Sequence, residues 1–162
     1  MVRGLILVSP WIRISEHTKS LINRLFRLAE SGDMSAHTHL FLRYVFPHSY
    51  MERHGPEVER LRAIVMAQDS KTVAYAWAAC LASDVDGDLS QIRVPSLVIA
   101  GMNDLFTPPY LAREVAAALF EVELEIWNAS GHFPFLEDAG RFNRKLETYV
   151  RRQSTRASSG QR

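Results

Sequence analysis

Three short apolar runs, each followed by turn residues and separated by helix-patterned chain, constrain this 162-residue sequence most. "GLILV" (4–8) is continuous in apolar character and is stopped by Ser9 and Pro10. "VPSLVIAG" (94–101) repeats the pattern and closes on Gly101. Runs of this kind are the signature of strands buried on both faces of a parallel sheet, whose faces are covered by helices. "VELEIW" (122–127) alternates apolar with acidic residues, which predicts a strand with one buried face and one wet face, as at a sheet edge.

Between the first two runs the period changes. Leu21, Leu25, Phe26 and Leu28, then Leu40, Phe41, Tyr44 and Val45, then Val58, Leu61, Ile64 and Val65 recur at helical spacing. Breaks are expected at Gly32-Asp33, Pro47 and Gly55-Pro56, where glycine frees the backbone and proline removes a donor. Leu111, Val115 and Leu119 predict a helix packed on the sheet after Pro108-Pro109, and Phe142, Leu146, Tyr149 and Val150 predict a closing helix. The order is strand, helical block, strand, helix, strand, helix. This is an α/β chain with a mostly parallel sheet of about three strands, flanking helices and an inserted helical block.

Composition narrows the function. Apolar residues make up 47% and charged residues 23%, which excludes a disordered or fibrous chain. The net charge of +1 conceals a mildly acidic body. The last twelve residues, "RRQSTRASSGQR", hold four of the arginines, and without them 15 basic residues face 18 acidic ones. No basic stripe remains to follow a phosphate backbone, so no nucleic-acid partner is expected, and the tail over 151–162 reads as disordered. No run reaches the length of a membrane span. A single cysteine, Cys80, suits a reducing compartment, so the expectation is a cytoplasmic protein without disulfides.

In an open α/β sheet, reactive groups gather at the carboxyl ends of the strands. Asp104 follows the second strand in "AGMNDLFTPP", and His132 follows the third in "WNASGHFPF". A carboxylate accepting from one imidazole nitrogen fixes the tautomer, so that the other nitrogen takes a proton from a nucleophile. Asp104 equally suits an Asx turn or helix cap. Trp11, Phe106 and Phe133 suit an apolar substrate pocket, and core packing accounts for them as well.

"RVPSLVIAGMNDLFTPP" and "NASGHFPFLEDAGRFNRKL" resemble the strand-plus-acid loop and the final histidine loop of the α/β-hydrolase fold family. The resemblance implies that Asp104 is the triad acid and His132 the triad base, in the family's order of nucleophile, acid, histidine. It spans about residues 4–150. It implies a partial α/β-hydrolase fold whose core is residues 1–14 and 84–150 and whose helical cap is 15–83. "SPWIRISEHTKS" and the helices after it look most like the aminoacrylate or carbamate hydrolases, and more loosely like enol-lactonases and small carboxylesterases.

The family's nucleophile sits in a G-x-S-x-G elbow, and no such pattern occurs in this chain; the HGGG-type oxyanion loop is also absent. Ser9, between Val8 and Pro10, reads as a strand-end residue. The expectation is therefore a C-terminal portion of a hydrolase of a small ester, lactone or carbamate-like substrate, inactive alone, with no metal and no cofactor. No G-x-G-x-x-G follows any strand. The competing expectation is a non-catalytic module that self-associates or pairs the open edge of its first strand with another chain.

The remaining candidates have plainer readings. His17, His37, His39, His48 and His54 lack metal-binding spacing and read as surface or packing histidines. "AYAWAACLA" around Cys80 reads as a helix face, with no neighbouring base to lower the thiol pKa. Asp84, Asp86 and Asp88 lack the bidentate glutamate of a calcium loop and read as a turn before a helix.

Overall fold

The central strand of the sheet is the one built from "SLVIAG". In the computed structural model, which describes residues 2–83 and 89–159, β2 (Ser96–Gly101) is buried along its whole length and lies between β1 (Leu5–Val8) and β3 (Val122–Trp127). All pairings are parallel and the order is β1-β2-β3, with Leu5 opposite Ser96 and Ser96 opposite Val122. Parallel neighbours need crossover connections, which is why helical chain separates every pair of runs.

The residues group into two compact units, Met1–Trp11 with Asp86–Arg162, and Ile12–Val85. In the sheet unit, α6 (Pro109–Ala118) packs on β2 and β3. The opposite face carries Leu97, Ile99 and Trp127, packed with Tyr149, Phe142 and Leu146 of α8 (Ala139–Ser159) and with Ile6. A four-residue helix, α7 (Pro134–Glu137), precedes α8.

β1 is only partly buried, against the expectation of a strand covered on both faces. It pairs with β2 alone among the described strands, so one of its edges has no ladder partner there. The acidic face of β3 is not simply wet either. Lys145 bridges Glu123 and Glu125 from α8, Arg152 pairs with Glu123, and Arg156 with Glu121. The Lys145 ammonium and then the Arg152 guanidinium hold the Glu123 carboxyl below its ordinary range.

Within the tail expected to be disordered, the described residues 151–159 are helical. α8 runs on to Ser159, and Gln153 is buried. Arg152 and Arg156, two of the arginines that made the tail look solvated, pair with Glu123 of β3 and with Glu121 just before it, a relationship that composition alone does not reveal.

The helical unit comprises α1 (Glu16–Glu30), α2 (Met34–Val45), α3 (His48–Arg53), α4 (Gly55–Met66) and α5 (Ser70–Leu81). The breaks fall where glycine and proline predict them. Gly32 takes φ 81°, a conformation open to glycine at little cost, and so lets the chain turn after α1. Ser15, Asp33 and Asp69 cap α1, α2 and α5 by accepting from the backbone N–H three residues on, which satisfies a donor the helix itself cannot. α1 packs on α5 and α2, through a buried stripe of Leu21, Ile22, Leu25 and Ala29.

His37 is buried in this unit rather than at its surface. Trp77 Nε1 donates to its Nε2 at 2.8 Å, while its Nδ1 is buried without a hydrogen-bond partner. Burial pushes the imidazole pKa below its ordinary value. Cys80 is half-buried, and burial lifts its thiol. The turn expected at Asp84, Asp86 and Asp88 lies outside the described residues. Among the described residues no helix is long and apolar enough to cross a membrane.

Candidate active site

Asp104 and His132 stand on separate loops at the carboxyl ends of β2 and β3, within the sheet unit. His132 Nδ1 lies 2.8 Å from Asp104 Oδ2. The Asp104 side chain is fully buried and the imidazole retains 16% exposure. An ionised carboxylate only accepts, so facing one, Nδ1 is the donor of this bond.

Local turn chemistry holds the acid. Asp104 Oδ1 accepts from the N–H groups of Phe106 and Thr107 at 2.9 and 2.8 Å, an Asx-type turn closed by the side chain. The two readings open for Asp104 therefore use different oxygens of one carboxylate. Oδ1 shapes the turn, and Oδ2 meets the imidazole. Thr107 Oγ1 lies 2.7 Å from Asp104 Oδ2, 3.0 Å from His132 Nδ1 and 3.2 Å from the Ser9 carbonyl oxygen. Its single proton serves one acceptor at a time, so it acts as a buried polar junction for the three segments.

The histidine loop is threaded against β2. A β-carbon on Gly101 would collide with the backbone of Ser130 and Gly131, so only glycine there lets the loop approach. Asn103 N donates to Ser130 O at 2.9 Å and Asn103 Nδ2 to Asn128 O at 2.8 Å, which laces the acid loop to the histidine loop. Ser9, at the end of β1, donates from Oγ to the carbonyl of His132 at 2.9 Å. It does so from φ 48°, the left-handed region, which costs a non-glycine residue about 1–2 kcal/mol and persists where surrounding bonds hold it.

The imidazole is flanked by aromatic rings. Phe106 approaches at 5.0 Å between centroids and Phe133 at 4.9 Å, both edge-on. Phe106 is itself buried. Trp11 is half-buried two residues past Ser9, and no ring contact or hydrogen bond joins it to the pair among the described residues. Glu137 accepts from the N–H groups of Gly131 and Phe133, on either side of His132. Burial lifts the Glu137 carboxyl above its ordinary range, and those two N–H donors oppose part of that rise.

Sequence reasoning singled out Asp104 and His132 but passed over Thr107, Glu137 and the role of Ser9. An Asp followed three positions on by Thr is itself a turn signal. Glu137 stands four residues after Phe133, outside the three-residue spacing of a capping box, so no local pattern marked it. For Ser9 there was no local signal, because the residues that hold it are far away in the chain.

No family model matches the chain. A protein of Rhizobium rhizogenes named as a carbamate hydrolase, RutD, is 24% identical over 156 residues, covering 95% of this chain and 60% of its own length. An Escherichia coli protein of the same name is 27% identical over 147 residues, covering 90% of this chain and 55% of that one. The crystal structure of the enol-lactonase from Burkholderia xenovorans superposes with a TM-score of 0.83 and 26% identity, over 92% of this chain and 56% of the other.

The chain has the α/β-hydrolase fold in part. It carries a three-stranded parallel sheet with flanking helices, and spans somewhat over half the length of the relatives it matches. In an α/β-hydrolase, the loops after β2 and β3 described above stand at the end of the sheet where reactive side chains collect. Among the described residues no group of three or more His, Cys, Asp or Glu side chains is placed to hold a metal ion.

Proposed function

We propose that this chain supplies the acid and base of a serine-type hydrolase acting on a small ester, lactone or carbamate-like substrate. The observation that carries the reading is the 2.8 Å contact between His132 Nδ1 and the fully buried carboxylate of Asp104. With Nδ1–H committed to Asp104, Nε2 accepts the proton of an attacking hydroxyl, and the buried carboxylate stabilises the imidazolium that forms. The same Nε2–H then protonates the leaving oxygen or nitrogen. Phe106 and Phe133 meet the ring edge-on, and in this reading Phe106, Phe133 and Trp11 would contribute apolar surface to the substrate pocket.

The nucleophile and the oxyanion donors are not among these 162 residues, since neither G-x-S-x-G nor HGGG occurs. In this reading they belong to the part of a hydrolase that the chain does not span, and the isolated chain turns nothing over. The helical unit stands for the family's cap, and the lone Cys80 suits a cytoplasmic setting. Carbamate-like and lactone substrates are favoured by the names of the similar proteins. An interaction module built on the open edge of β1 draws no support from relatives that are named as hydrolases.

The test is hydrolysis of p-nitrophenyl acetate, an enol-lactone and a simple carbamate by two proteins, the chain alone and the chain fused behind the nucleophile-bearing half of a related hydrolase. No turnover is expected from the chain alone. Turnover is expected from the fusion, and His132→Ala abolishes it. Activity of the fusion that survives His132→Ala overturns the reading.

A further inference from the structure

We propose that Glu137 is the positioning residue of the site, with its carboxylate gripping the backbone on both sides of His132 so that the imidazole is aimed at Asp104. The proposal rests on the reading of His132 as the base. Oε2 accepts from Gly131 N at 2.7 Å and Oε1 from Phe133 N at 3.0 Å, so one side chain takes both N–H groups that bracket the histidine. The peptide carbonyl of His132 itself is taken by Ser9 Oγ at 2.9 Å. Three backbone polar groups of the loop, the N–H of Gly131, the C=O of His132 and the N–H of Phe133, are thus claimed by side chains, and the ring has little freedom to swing away from Asp104.

The chemistry requires a carboxylate. Two N–H donors converge on a side chain that can offer an acceptor to each only if both of its terminal atoms are oxygens; an amide presents one oxygen and one donor. Hydrogen bonds to an ionised acceptor are also the stronger kind, roughly twice a neutral one. The plainer reading of Glu137 is a cap for the short helix α7, since Phe133 stands at its N-cap position. That reading accounts for the bond from Phe133 N. The bond from Gly131 N, outside the helix and before the histidine, it leaves unexplained.

The experiment uses the chain as it stands, with its histidines labelled by nitrogen-15. Glu137→Gln and Glu137→Asp are compared with wild type by the ring nitrogen shifts of His132, which report the tautomer, and by amide exchange at Gly131 and Phe133. In wild type the ring is expected as the single Nδ1–H tautomer. In Glu137→Gln, exchange at Gly131 and Phe133 rises roughly tenfold or more relative to the amides of β2, as loss of a hydrogen bond to a charged acceptor implies, and the ring becomes a mixture of tautomers. Glu137→Asp, one methylene shorter, keeps one of the two bonds and gives an intermediate result. Should Glu137→Gln fail to fold, the aspartate variant carries the same comparison.

A His132 tautomer unchanged in a folded variant overturns the proposal, as does exchange that rises equally throughout the sheet. Failure of the hydrolase reading would appear elsewhere, as turnover of the fusion protein that ignores His132, and would leave the ring measurements standing.

Discussion

The backbone of Gly131 passes so close to Gly101 that a β-carbon there would lie 2.1 Å from the Gly131 carbonyl oxygen, well short of van der Waals contact. The strand that ends in the acid loop and the loop that carries the histidine are therefore fitted to each other through a missing side chain. Gly101→Ala must displace backbone rather than the tip of a flexible side chain. It is expected to destabilise the chain by about 3 kcal/mol, the upper part of the range for overpacking, in urea denaturation. A change below about 0.5 kcal/mol, the usual size for an unconstrained surface position, would show that the loop does not depend on this approach.

Asp104→Asn separates the two roles of the carboxylate. The asparagine oxygen still accepts from Phe106 and Thr107, so the turn persists, but an amide nitrogen facing His132 Nδ1 favours the other tautomer. In the fusion hydrolase kcat is expected to fall by about 10⁴-fold, while the folded chain keeps its near-ultraviolet circular dichroism. Equal activity of the two proteins would remove Asp104 from the mechanism.

His37 makes the helical unit sensitive to acid. Its pKa is lowered by burial in the folded state and returns to the ordinary 6.5 on unfolding. The unfolded chain therefore binds more protons, and folding stability is complete above pH 6.5 and declines as pH falls from 6.5 toward the lowered folded value. Protonation also places two donors face to face where Trp77 Nε1 now donates to His37 Nε2. Urea midpoints between pH 7.5 and 5 should fall more steeply for wild type than for His37→Gln, and parallel curves would contradict this.

Lys145 sits between Glu123 and Glu125 with only 18% of its side chain exposed, whereas Arg156 at the far end of the row is 54% exposed. Lys145→Met leaves two half-buried carboxylates facing each other and is expected to cost about 1–2 kcal/mol. Arg156→Ala removes a screened surface pair and should stay within about 0.5 kcal/mol. Chemical denaturation of both variants checks the ranking, and equal losses would refute it.

Hydrophobic periodicity determined the elements. The runs at 4–8, 94–101 and 122–127 hold the strands because their apolar character is continuous or strictly alternating, and the helices break at Gly32, at Pro47 and just before Gly55-Pro56, which opens the next helix. The loop motifs also located Asp104 and His132, since a turn signal after a strand is local information. What only the tertiary structure decided is what those residues touch. Glu123 and Glu125 looked like a wet face and the last arginines like a frayed tail, yet Arg152 pairs with Glu123 across 29 residues of chain and Arg156 with Glu121 across 35. Ser9 reaches His132 across 123 residues, and Thr107 reaches Ser9 across 98. Periodicity records which face of an element is apolar, a property of near neighbours. Partnership between polar atoms depends on where the sheet brings distant segments together, and a one-dimensional pattern carries no trace of that distance.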